Sequence, residues 1–262
     1  MSPEEIAWDN GGSVSDGRPF KAHLSGDIHT AGSIIHCIFT GGLHCFGAAS
    51  MWQQVNIAKG NPDFKLLCAS DPVAVDLVAR MVYLQPKRRL QIREVTAHPM
   101  FWDAAARLEK VRSWKVSWRR GADLQRRLDN HPRAVVEILG GAGRNRSDGG
   151  DVGWMSALDP AVAAQLTAWK DGYDGRDMLD LVRAIRNIFE HWFERDSRAD
   201  ATEAEAARRN MVELLTGWDE SKMRRGHQSK EGQEMRAVAV AGYFLERRFP
   251  SLLLVFEFSR EA

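Results

Sequence analysis

Between Asp177 and Glu194 the apolar residues return with the period of a helix, Leu179, Val182, Ile185, Ile188 and Phe189 falling on one side. A stripe of that width must be buried, so the segment demands other helices to pack against. Its opposite side carries Arg183, Asn187 and His191, four residues apart, with Arg186 beside Asn187 on the flank. Tyr173-Asp174-Gly175 stands just upstream as a turn. One turn and one helix therefore gather a phenol, two guanidiniums, a carboxamide and an imidazole.

That set has the parts for cleaving RNA by internal attack without a metal. The reaction needs a base for the 2'-hydroxyl, an acid for the leaving 5'-oxygen, and donors for the charge that builds on phosphorus. His191 suits the acid, an imidazole of ordinary pKa about 6.5 holding a proton near neutrality. Arg186 suits a bidentate grip on phosphate, with Asn187 donating beside it. Tyr173 serves as base only if a neighbouring cation lowers its pKa from about 10, and Arg186 is the expected cation. Periodicity alone favours the plainer reading, a solvated helix face.

Two further motifs flank this segment in order. His98-Pro99-Met100-Phe101-Trp102 resembles the His-Pro-x-Phe-Trp junction where the kinase domain of the inositol-requiring enzyme 1 and ribonuclease L family runs into its ribonuclease extension. Gly242-Tyr243-Phe244-Leu245-Glu246-Arg247-Arg248-Phe249-Pro250-Ser251-Leu252-Leu253 resembles the Tyr-Phe-x-x-Arg-Phe-Pro-x-Leu-Leu that closes the same extension. The resemblance implies an all-helical endoribonuclease acting on RNA as a homodimer, without cofactor or metal. It implies Tyr173, Arg186, Asn187 and His191 as the catalytic residues. The products it implies are a 2',3'-cyclic phosphate and a 5'-hydroxyl.

Residues 1 to 102 resemble the lower part of a kinase C-lobe. Ser2-Pro3-Glu4 matches the Ala-Pro-Glu that closes an activation segment, Asp27 and Gly32 the start of the long central helix, and Gly42 to Gly47 a Gly-x-His-Pro-Phe-Gly element. Leu84-Gln85-Pro86-Lys87-Arg88-Arg89 matches the Asp-Pro-x-x-Arg element, with Gln85 replacing the Asp. In kinases the Glu and the Arg of these motifs pair, so a buried Glu4 to Arg89 ion pair is expected. Within the 262 residues there is no Gly-rich phosphate loop, strand lysine, His-Arg-Asp or Asp-Phe-Gly, hence no nucleotide site and no active kinase. The expected fold is all-α: a partial kinase C-lobe over 1–102, then a kinase-extension ribonuclease domain over 103–262 with an insertion near 195–236. The alternative is a catalytically inactive scaffold of the same origin.

Formal net charge is +1, which excludes a global field drawing in RNA. Attraction has to be local. From Arg107 to Arg127 basic residues alternate with Trp114 and Trp118, which reads as a phosphate strip with stacking platforms, as core tryptophans flanked by solvated charge, or as a dimer contact. Three cysteines, Cys37, Cys45 and Cys68, lack metal-ligand spacing and suit reduced packing residues. No apolar run reaches the roughly 20 residues of a membrane span, so a place on the cytoplasmic side is expected, with any anchor in a longer parent.

Helices are expected over 26–40, 49–58, 71–83, 91–97, 99–111, 123–130, 132–139, 160–169, 177–194 and 202–215, with loops over 5–23 and 140–153. Asp71-Pro72 is a strong start signal, Asp as N-cap and Pro at the first helical position.

Overall fold

The computed structural model describes residues 1–9, 24–117, 135, 138, 153–168, 172–191, 201–216 and 229–257. Every regular element among them is helical, as an all-α fold requires. The chain divides into two compact units, Met1–Phe101 and Trp102–Ala262, so the division falls inside the His-Pro-x-Phe-Trp motif.

In the first unit, α1 is Pro3–Asp9, α2 Leu24–Phe39, α3 Ser50–Lys59, α4 Lys65–Ser70, α5 Pro72–Met81 and α6 Ile92–Thr96. Helix α1 corrects the first part of the loop expected over 5–23, residues 5–9; the rest of it lies outside the described residues. Pro3 needs no amide partner in a first turn, Glu4 and Glu5 suit a helix N-terminus, and Ile6 (4% exposed) buries the helix. The short α4 was not expected either. Asp71 caps α5 as anticipated, its carboxylate accepting from Val73 N (2.9 Å) and Ala74 N (3.1 Å).

The centre of this unit is the packing of α2 on α5. Gly32 makes it possible: a Cβ there would lie 2.8 Å from Met81 Cβ and 2.9 Å from Val82 Cγ1. Asp27 stays exposed in the first turn of α2, where a carboxylate favours the helix dipole. Cys45 is fully buried, which pushes its thiol up to about 11 and leaves it a packing residue. Cys37 is a free thiol too, while the Cys68 side chain lies outside the described residues.

The expected ion pair is present. Arg89, its side chain fully buried, grips Glu4 bidentately, Nη1 to Oε1 at 2.5 Å and Nη2 to Oε2 at 2.8 Å. Its other donors reach Tyr83 O (2.7 Å), Ser25 O (2.8 Å) and Leu84 O (3.1 Å). Five N–H groups meet five acceptors, the condition under which a buried guanidinium is tolerated. The fork holds Glu4 below the ordinary carboxylate range against the opposing effect of burial. At the junction, His98 accepts from Met100 N (3.1 Å) at Nδ1, so Nε2 carries the proton donated to Asp76 (3.2 Å).

In the second unit, α7 is Ala104–Ser117, α8 Pro160–Ala168, α9 Met178–Glu190, α10 Ala201–Thr216 and α11 Lys230–Val240. Helix α11 runs into a π-helical segment, Ala241–Arg248, and α12 is Leu252–Glu257. Helix α8 packs on α10, the added helix expected within the insertion, while α7, α9 and α11 pack on one another. Trp114 is core (3% exposed), which decides its role for packing; Trp118 and the helices expected over 123–139 lie outside the described residues, except that Val135 and Ile138 are helical. The closing motif is tied inward, since Tyr243 donates to Asp159 Oδ2 (2.7 Å) and accepts from Asp159 N (2.8 Å). That bond, with Arg248, holds the Asp159 carboxyl below its usual range. No described helix is long and apolar enough to cross a membrane.

His29 generates a pH dependence. It is fully buried, stacked on Phe46 at 5.5 Å, and neither ring nitrogen has a hydrogen-bond partner. Burial first, then the nearby Arg89, lowers its pKa from 6.5 to about 4. The unfolded chain therefore binds the proton that the folded one refuses, so this stability is complete above pH 6.5 and is lost as pH falls towards 4. The loss expected at the acid end is on the order of 3 kcal/mol. Hydrogen exchange of α2 and α5 amides across that window should show it in the wild type, and His29→Phe should flatten it.

Candidate functional site

The site begins with Trp154, which is fully buried. Its backbone N–H donates to Gly175 O (2.9 Å), and its indole N–H is shared between Asp174 O (3.1 Å) and Asp177 O (3.0 Å). These bonds lash the 172–177 turn to the start of α9, where Asp177 is N-cap and accepts from Leu179 N (2.7 Å). Asp180 receives Asp174 N (2.7 Å) from the same turn. Gly153 allows the approach: its φ is +117°, and a Cβ would sit 1.9 Å from Gly175 O. Tyr173 is thereby presented edge-on to Trp154, ring centroids 6.2 Å apart.

Helix α9 buries Met178, Leu181, Val182, Ala184, Ile185 and Ile188, leaving Leu179 and Phe189 half-buried. The apolar stripe is rotated slightly from the expected one. Asn187 Nδ2 donates to Tyr173 Oη (3.0 Å), and Arg186 Nη2 donates to Asn187 Oδ1 (3.0 Å). Tyr173, Arg186 and Asn187 are thus one hydrogen-bonded row. His191 stands one turn further on. The helix ends at Glu190 rather than 194, so His191 is its exposed C-cap (φ −108°, ψ 20°), its N–H donating to Asn187 O (2.8 Å).

The cation nearest Tyr173 is Arg183, not Arg186. Its guanidinium lies 4.8 Å from the ring centre, donates to Gly172 O (2.6 Å), and pairs with Asp180 (3.2 Å). Burial outweighs the help of Asn187 and both arginines, so the Tyr173 pKa is raised above 10 rather than lowered. The phenol is neutral in this geometry, which corrects the expectation that Arg186 activates it.

The Glu190 carboxylate meets Arg186 Nε (3.7 Å) and Arg112 Nε (3.4 Å). A cleft of about 500 Å³ is lined by Glu109, Arg112, Phe189 and Gln233 among others; none of the four candidate residues forms its walls. Trp154, Asp180 and Arg112 were not visible as site residues in the sequence. Their roles are contacts between distant segments, and only the Asp177–Asp180 pair at a helix start hinted at one of them.

The row stands at the C-terminal end of an amphipathic helix in an all-helical unit. Residues 122–210 match the family described as Ribonuclease 2-5A. The chain is 29% identical over 185 residues, 68% of its length, to "Sensor for unfolded proteins in the ER ire1" of Schizosaccharomyces pombe. It is 29% identical over 174 residues, 64% of its length, to human "Serine/threonine-protein kinase/endoribonuclease IRE2", and 31% over 170 residues, also 64%, to "Serine/threonine-protein kinase/endoribonuclease ire-1" of Caenorhabditis elegans. The matched parts are 16%, 17% and 16% of those proteins, so the chain spans about a sixth of their length. The matched region is similar to the kinase-extension domain of the inositol-requiring enzyme 1 and ribonuclease L type.

Replacing Gly153 by Ala should force the 172–177 turn away from α9. The expected outcome is a loss of about 2–3 kcal/mol in chemical denaturation and faster exchange of the Trp154 amide hydrogen.

Proposed function

We propose that the chain is an endoribonuclease module that cleaves RNA through attack of a 2'-hydroxyl on the adjacent phosphorus, acting as a dimer and without a metal. The observation that carries this reading is the hydrogen-bonded row Tyr173–Asn187–Arg186, with His191 one turn beyond. The family match spans all four residues.

In this reading the 2'-hydroxyl gives up its proton to solvent as its oxygen forms a bond to phosphorus, the bond from phosphorus to the 5'-oxygen breaks, and His191 delivers a proton to the leaving oxygen. Arg186 and Asn187 donate to the phosphate as its charge grows. Tyr173, neutral and already accepting from Asn187, positions the 2'-hydroxyl by hydrogen bonding; it is a poor proton acceptor at neutral pH. The ends formed are a 2',3'-cyclic phosphate and a 5'-hydroxyl. The first unit, Met1–Phe101, is read as the lower part of a kinase C-lobe, supported by the Glu4 to Arg89 fork. Its role here is a platform for the nuclease.

The test is cleavage of a labelled RNA hairpin in excess chelator across protein concentration. Wild type should cut, more steeply than in proportion to concentration, while His191→Ala falls by at least about a hundredfold and keeps its thermal unfolding midpoint. Cutting by the variant at the wild-type rate would remove His191 from the chemistry. No cutting by wild type at any concentration would favour the inactive scaffold.

Tyr173 separates two mechanisms by pH. A positioning phenol predicts that Tyr173→Phe cuts more slowly by one constant factor from pH 6 to pH 9. A base predicts that the wild-type advantage grows about tenfold per pH unit across that range.

A further inference from the structure

Arg186 is the donor on which the row depends, and three observations show what holds it. Its side chain is only 14% exposed and its Nε makes no hydrogen bond. The Glu190 carboxylate stands 3.7 Å from that Nε, one helical turn along α9. The same carboxylate is reached from α7 by Arg112, Nε to Oε1 at 3.4 Å, and Arg112 is braced in turn by Glu109 at 2.7 Å. An exposed i,i+4 pair by itself contributes little. Here the carboxylate is tethered on its far side by a second helix, so it offers Arg186 a fixed partner.

We propose that Glu190, held by Arg112, is a positioning residue for Arg186 in the cleavage site, an inference that rests on the nuclease reading above. The Glu190 carboxylate draws the guanidinium along α9, and Arg186 Nη2 is then aligned on Asn187 Oδ1. Arg186 has only donors, so Asn187 must turn its oxygen to it and its amide N–H to Tyr173. Glu190 thereby sets the orientation of the whole row through one side chain, without touching RNA. A carboxylate beside a phosphate site also opposes RNA binding, so binding and turnover should respond to its loss in opposite directions.

The experiment uses the whole chain as wild type, Glu190→Gln, Glu190→Asp, Arg112→Gln and His191→Ala. Turnover is measured on a labelled hairpin, and affinity on its unreactive 2'-O-methyl analogue. The Arg186 Nε–H signal, assigned through Arg186→Lys, is followed by NMR. Glu190→Gln should lower kcat about tenfold, the scale set by misplacing a reacting partner, with affinity for the analogue unchanged or tighter. Its Arg186 Nε–H should exchange faster with water. Glu190→Asp should recover part of kcat, and Arg112→Gln should move in the same direction by less. Wild-type kcat with an unaltered Arg186 signal overturns the proposal. So does loss of turnover and affinity together with a lowered unfolding midpoint, because that is the mark of a merely structural residue. If wild type does not cut at any concentration, the nuclease reading fails, and an unaltered Arg186 signal in Glu190→Gln still overturns the positioning role independently.

Discussion

The second unit is organised by one indole. Trp154 gives its ring proton to two carbonyls of the 172–177 turn and its amide proton to a third, so the turn is fixed to the start of α9. A buried Trp with an unsatisfied N–H is costly, and the turn's carbonyls are the acceptors that answer it. Tyr173 inherits its place from this arrangement, since it lies inside the lashed segment and rests edge-on against the indole. Everything downstream in the site, from the Asn187 bond to the stacking of Arg183, presupposes that position.

Arg89 does for the first unit what Trp154 does for the second. In both, a buried side chain donates to several backbone carbonyls, those of one turn for Trp154 and of separate segments for Arg89, and so fixes irregular backbone in place. Arg89 collects Tyr83, Leu84 and Ser25 and closes on Glu4 from the first helix. A guanidinium so placed leaves no donor unsatisfied, which is why it is tolerated without solvent. The Glu4 and Arg89 motifs stand 85 residues apart in the chain and become one contact.

How much of this was legible follows from what each signal encodes. Helix α9 and its polar side could be read because spacing of four residues is a local property, and Asp71-Pro72 marked a helix start for the same reason. The Glu4 to Arg89 pair was legible only through resemblance, since nothing local joins the two positions. Helix α1 was missed because Gly-rich sequence just after it dominated the composition, while Pro3, Glu4 and Ile6 were enough to start and bury a helix. The end of α9 was placed four residues late. Periodicity continues past Glu190, whereas the backbone leaves the helical region at His191. Trp154 carried no local signal, and Arg112 only that of a basic strip, because their roles are defined by partners about 20 and 78 residues away. The protonation of Tyr173 was misjudged for a related reason: counting nearby cations is possible from sequence, but burial is not, and burial decided the sign.

The row itself has a direction that residue types alone impose. Arg186 offers donors only, so the amide of Asn187 has one allowed orientation beside it, oxygen inward and N–H outward. That N–H then occupies one lone pair of the Tyr173 oxygen. The phenol oxygen is thus engaged as an acceptor, which suits a neutral hydroxyl and not an anion seeking a proton. An imidazole at the Asn187 position would carry a choice of tautomer and could reverse the row, and a lysine at 186 would supply charge without the planar fork that fixes the amide. Arginine followed directly by asparagine therefore specifies more than proximity to phosphate. The pair sets which atom of each neighbour donates, and it does so before any RNA is bound.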